Sequence, residues 1–222
     1  MSLAGTGIVA IWNDMRPGSR DAVYEWHNRE HIPERVGIPG FLRGRRFIAV
    51  EGSPEFFILY ETKDPSAASG PAYFERLNNP TPWTVRTNKN FLNTIRGICA
   101  VVATKGQVDG GAMLTLRFDP PPDRQPALRE ALAALLPAVV AEAGILSASL
   151  CIAEREKSLI ETVERIGRAP LISPSWILLI EGMSITELAG IAERHLAEPL
   201  EGCAVERGLY RLEISLSRPL KT

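Results

Sequence analysis

Three cysteines and three histidines in 222 residues leave little material for metal or disulfide chemistry. Cys99, Cys151 and Cys203 are odd in number and far apart, and none forms a CxxC pair or sits beside a histidine, so a disulfide framework and a zinc site are both disfavoured. Nor is there a charge excess: 25 Lys+Arg stand against 26 Asp+Glu, which gives no broad field to draw in a nucleic-acid backbone or an anionic membrane. Long apolar runs are also missing. The longest, Ala131 to Ala141, has eleven residues with Pro137 inside it, whereas a bilayer span needs about twenty. The chain opens without a secretory pattern, so reduced thiols in a cytoplasmic protein are the expectation. Glycine fingerprints for a dinucleotide or a phosphate loop are absent, and the histidines lack the context of a Ser-His-Asp triad.

What remains is a 45% hydrophobic chain with the means to bury a core. Ile8 to Trp12 reads as a strand. Ser19 then offers an N-cap for a helix that Pro33 should stop near Ile32. Phe41 to Val50 and Phe56 to Thr62 read as a hairpin turned by Glu51 to Pro54. Ser66 to Leu77 is a helix interrupted by Gly70-Pro71, and Ile95 to Ala103 is a closing strand. Beyond the Gly106 to Gly111 linker the same order returns. Ala112 to Phe118 is a strand, and a helix opens near Pro126 with Leu128, Leu132, Leu135, Leu136, Val139 and Val140 on one stripe. Strands Leu146 to Ala153 and Trp176 to Gly182, a helix Ile185 to Leu196 and a strand Gly208 to Leu216 complete it. The pattern predicts an α+β protein of two ferredoxin-like βαββαβ units, residues 1–108 and 109–222, whose sheets meet in one intrachain α/β barrel. Glu154 to Ser175, which has no counterpart in the first unit, is expected to cover an edge or a pocket.

The stretch Tyr24-Glu25-Trp26-His27-Asn28-Arg29-Glu30-His31-Ile32-Pro33, followed by Ile38-Pro39-Gly40-Phe41, resembles EthD-like members of the dimeric α/β-barrel superfamily, with their Trp, His-x-Pro and Pro-Gly pattern. The resemblance implies the barrel fold and, more loosely, a small oxygenase, isomerase, dehydratase-like or decarboxylase-like activity. Some branches of the superfamily bind haem, but no residue here identifies a proximal ligand. The first helix of the second unit has neither tryptophan nor histidine, so a single site is expected, in the first unit.

On a helical wheel Ala22, Val23, Trp26 and Glu30 share one arc, with His27 at its edge and His31 and Tyr24 beside it. A carboxylate against an apolar wall next to an imidazole suits general acid/base work, which nominates His31 and Glu30 as catalytic. The plainer alternatives are an ion pair from Glu30 to Arg43, Arg45 or Arg46, a helix-end carbonyl bond for His31, and surface exposure for His27. His27 and His31, four residues apart, could share a metal, but no third ligand is placed, and neither metal nor cofactor is expected. Tyr24, Trp26, His27, Arg46, Trp83 and Arg86 are the expected substrate contacts. Arg46 is chosen because alternation puts it on the helix-packed face of its strand with Gly44, which would leave room for a ligand. Arg43 and Arg45 read as charges on an edge strand. Trp83 and Arg86 lie in a polar segment, Asn78 to Arg86, that is long for a mere connection and could close over a cleft. The expected partner is a small molecule, with no nucleic acid or membrane and with homo-oligomeric assembly left open. A non-catalytic ligand-binding or scaffold protein is the competing class.

Overall fold

The computed structural model describes residues 3–160, 162–165 and 171–218. Strand β1 (Gly7–Met15) leads into α1 (Arg20–Trp26), a π-helical turn (His27–His31) and α2 (Ile32–Gly37). The hairpin β2 (Phe41–Gly52) and β3 (Phe56–Thr62) follows, then α3 (Pro71–Asn78), α4 (Pro82–Thr87) and β4 (Phe91–Gly106). The rest of the chain supplies β5 (Ala112–Phe118), α5 (Gln125–Ala141), β6 (Ile145–Ala153), α6 (Arg155–Ser158), β7 (Trp176–Gly182), α7 (Ile185–Leu188), α8 (Ile191–His195) and β8 (Val205–Ser217). The single helix expected over Ile185 to Leu196 is split at Gly190, whose φ of +77° is open to glycine and strained for other residues.

The eight strands of the described residues close into one antiparallel barrel in the order β1-β3-β2-β8-β5-β7-β6-β4. The first four run β2-β3-β1-β4 and the last four β6-β7-β5-β8, the same relative order. Two seams join them: β2 on β8, with Arg43 opposite Ser217, and β4 on β6, with Cys99 opposite Ala153. Strand alternation then sorts side chains into three layers. Ile8, Ala10 and Trp12 point into the barrel with Phe47, Phe57, Leu59, Met113, Leu179 and Tyr210. Trp12 stacks on Phe57 at 4.8 Å between ring centroids. On the outside of the second half, Leu128, Leu132, Leu136 and Val139 of α5 pack on Leu114, Leu116, Leu178 and Ile180. On the outside of the first half, Ile32 and Val36 pack on Val9, Ile58, Tyr60 and Ile98.

β2 is paired on both sides, so the edge-strand reading of Arg43 and Arg45 is corrected. Arg45 is 1% exposed and held by Glu61 at 2.9 Å and Glu181 at 2.8 Å, while Arg43 meets Glu61 at 2.8 Å. A buried cation is tolerated only when so paired, which makes this cluster a structural knot at one end of the barrel. Gly44 is corrected too. A Cβ there would come within 2.8 Å of Ile32 and 3.0 Å of Tyr60, so its missing side chain admits the helix, not a ligand.

Candidate active site

The first helix does not end at Pro33. Its buried positions step through Val23, Trp26, His27, His31, Ile32, Arg35 and Val36, so the pair 26 and 27 is followed by the pair 31 and 32, a stride of five. The π-turn supplies the extra residue, and the Ile32 amide reaches back five residues to the His27 carbonyl. Pro33, which has no N–H to offer, is absorbed just after this widened turn, and the helix runs on. The added residue turns both imidazoles inward. His27, expected at the surface on a regular wheel, is 1% exposed.

Between these helices and the outer faces of β1, β3 and β4 lies a cavity of about 80 Å³. His31 stands in its wall with its ring 4.2 Å from Trp26, 5.7 Å from His27 and 6.4 Å from Tyr60. Among the polar atoms of the lining that are buried without a hydrogen-bond partner in the protein are His27 Nε2 and Tyr60 Oη, with Asn13 Oδ1 and Thr162 Oγ1. Burial, then the nearby Arg46 charge, pushes His27 down to about 3, so its imidazole is neutral at ordinary pH. Burial also holds the Tyr60 phenol far above its usual range, leaving it a neutral donor. Arg35 is paired with Glu34 at 3.1 Å and Glu164 at 2.5 Å. Arg96 donates to the Ser158 carbonyl and the Tyr73 hydroxyl, each at 3.1 Å.

The segment between β6 and β7 does cover a pocket. Thr162 and Glu164 line the cavity, Asn88 donates to Glu164 at 3.3 Å, and the Ser158 hydroxyl accepts from the Ile98 amide at 2.9 Å. Residues 161 and 166–170 of the expected insertion lie outside the described residues. The second half thus contributes a carboxylate to a cavity built on the first.

Of the residues nominated from sequence, His31, His27 and Trp26 come together in this lining; the others do not. Glu30 meets none of the β2 arginines. Its Oε1 accepts from Thr81 at 2.6 Å, Thr84 at 3.0 Å and Trp26 Nε1 at 3.2 Å, which straps α4 to the helix outside the cavity. Arg46 does face the helices, as alternation predicts, but it stands behind His27 and not in the cavity wall. Its Nη1 lies 3.2 Å from His27 Nδ1 and 3.0 Å from Asn28 Oδ1. Tyr24 packs against that guanidinium at 3.8 Å and donates to Glu213 at 2.8 Å. Burial and the Glu213 carboxylate both push its phenol up. The Asn78 to Arg86 segment is a short helix capped by Thr81, not a free lid; Trp83 is half-buried and Arg86 exposed, both outside the lining.

Sequence reasoning missed Tyr60, Arg96, Arg35, Asn88 and Glu164. Tyr60 and Arg96 were recoverable, since they share strand faces with the apolar Ile58 and Ile98. Glu164 reaches Arg35 across 129 positions and has no local signal.

Among the described residues, no three His, Cys, Asp or Glu side chains gather to hold a metal ion. Neither a protein-family profile nor a curated protein matches the sequence. Solved structures do match. A candidate monooxygenase from Fusobacterium nucleatum superposes with a TM-score of 0.64 at 12% identity, over 97% of this chain and 96% of that one. An anthrone oxidase-like protein gives 0.63 at 10% identity, over 95% and 92%. A candidate chlorite dismutase gives 0.58 at 10% identity, over 95% and 96%. The chain shares their α/β-barrel fold. Identities this low carry the architecture and leave the reaction to be argued from the site. None of the described helices is long and apolar enough to cross a membrane.

Proposed function

We propose that the cavity is the active site of a cofactor-independent enzyme that removes a proton from the carbon beside a carbonyl in a small, partly aromatic molecule. The observation that carries this reading is the lining itself, which brings the His31 imidazole together with two neutral groups, His27 and Tyr60, whose buried polar atoms have no hydrogen-bond partner in the protein. His31 takes the proton as general base, and the oxygen of the resulting enolate receives hydrogen bonds from His27 Nε2 and Tyr60 Oη. Trp26 offers an aromatic wall to the substrate ring. Glu30 acts by fixing the wall and Arg46 by fixing His27, in place of the direct contacts first expected of them. Dioxygen as a second substrate would carry the enolate on to an oxygenated product, the kind of chemistry named for the structural neighbours; without it, protonation elsewhere gives an isomerase. The shared strand order of the halves supports reading them as duplicated EthD-like units, and the free thiols of Cys99, Cys151 and Cys203 suit the cytoplasm.

Deuterium exchange tests the proposal without a known substrate. Small 1,3-diketones in heavy water, followed by NMR, should exchange their acidic C–H faster with the protein, and His31→Ala should lower the catalysed rate by about a hundredfold or more. No acceleration over buffer with any of these compounds would leave a ligand-binding or scaffold protein as the reading.

A further inference from the structure

We infer that Arg46, oriented by Glu213 from the second half of the chain, is a positioning residue that holds His27 as its neutral Nε2–H tautomer and so presents a fixed hydrogen-bond donor to the cavity. The catalytic use of that donor rests on the proposed function; the lock itself does not.

A guanidinium has only N–H donors. Its Nη1, 3.2 Å from His27 Nδ1, bonds there only if Nδ1 carries a lone pair, which places the ring proton on Nε2. Nε2 is the buried atom with no protein partner, on a residue that lines the cavity. Arg46 has little freedom to leave: Nε donates to Glu213 at 2.8 Å, Nη1 to Asn28 at 3.0 Å, and the Tyr24 ring covers its carbon at 3.8 Å. Glu213 is fixed in turn by the Tyr24 hydroxyl, 2.8 Å from each of its oxygens. Protonating His27 would set an N–H against an N–H and a second cation beside the first, on a ring that is almost wholly buried. The charged or titratable groups around it are Arg46 from β2, Glu213 behind that from β8, Tyr60 from β3 and His31 on its own helix. Glu213 already holds Arg46 and lies beyond it, so its carboxylate is not available to stabilise an imidazolium at His27. One histidine of the cavity therefore donates without titrating, and its neighbour is left to move the proton.

The test is a long-range 1H–15N spectrum of the full chain labelled at histidine, recorded from pH 8 to pH 5. The signal lost in His27→Gln should show a protonated Nε2 and a bare Nδ1, unchanged across the range. Arg46→Met, which keeps the stem and removes the donors, should let that ring mix tautomers and titrate nearer the ordinary ~6.5. Glu213→Gln should shift it in the same direction by less. A wild-type proton on Nδ1, or a His27 titration above pH 5 with Arg46 intact, overturns the inference. So does an unchanged tautomer and titration in a folded Arg46→Met; should that variant not fold, the wild-type and Glu213→Gln spectra decide. If the tautomer is as expected but no compound exchanges deuterium, the enzyme reading falls and the lock stands.

Discussion

The two halves of the barrel have the same strand order and opposite uses for the layer outside it. In the second half α5 is seventeen residues long, and its leucine stripe lies directly on the sheet. In the first half the corresponding layer is broken into α1, a π-turn and α2, and the one-residue surplus turns imidazoles and a guanidinium toward the sheet. The resulting gap is the cavity. A regular helix buries a stripe; an irregular one stores polar groups that the fold would otherwise expel, at a cost in stability that a site can repay.

Core truncation gives the largest contrast between the halves. Trp26→Ala should destabilise by about 3–5 kcal/mol and Leu132→Ala by about 2–5 kcal/mol, read from urea midpoints. Only the first should also abolish deuterium exchange in the fraction that stays folded; equal effects on exchange would erase the difference in use. His31→Ala comes next, with about a hundredfold loss of exchange, roughly 2.7 kcal/mol in the barrier, and a smaller fall in the urea midpoint than Trp26→Ala gives.

The pH dependence of stability sharpens the comparison further. His27 is neutral in the fold down to about pH 3, whereas the unfolded chain protonates it near the ordinary ~6.5. The unfolded state therefore binds more protons between those values. Stability owed to a neutral His27 is fully present above pH ~6.5 and is lost as pH falls toward 3, at up to about 1.4 kcal/mol per pH unit. His27→Gln should flatten that slope in urea titrations at pH 7, 6 and 5, and a slope as steep as wild type would deny the buried neutral ring. The smallest effect belongs to Arg86→Ala, an exposed change on α4 expected to alter stability by less than about 0.5 kcal/mol and exchange not at all. A large loss there would return α4 to the site.

Element order and most boundaries were legible because they follow from apolar periodicity and from turn residues. β3, β5 and β7 fall where alternation and the flanking Gly and Pro put them. Arg46 was legible as a helix-facing residue for the same reason. His27 was not, since a wheel at a hundred degrees per residue has no place for a π-turn, and Pro33 reads as a stop unless that turn is known. Phe41 and Phe47, six residues apart on β2, lie on opposite faces of the sheet, because the pairing of β2 with β3 slips between Phe41 and Arg43, which plain alternation does not register. Glu164 and Glu213 act on the site from far along the chain, which local spacing cannot register.

Closure of the barrel also sets a schedule for synthesis. When Gly106 leaves the ribosome, β2 and β4 are complete, yet their outer edges are unpaired, because β8 and β6 come later. At about 5–20 residues per second, the roughly one hundred residues from there to Val205 keep the β2 edge waiting for about 5–20 s. An open strand edge is a template for a neighbouring nascent chain. On a crowded polysome the hazard for this protein therefore lies in the interval before its last strand emerges, and a chaperone that shields β2 would raise its yield more than one that acts after release.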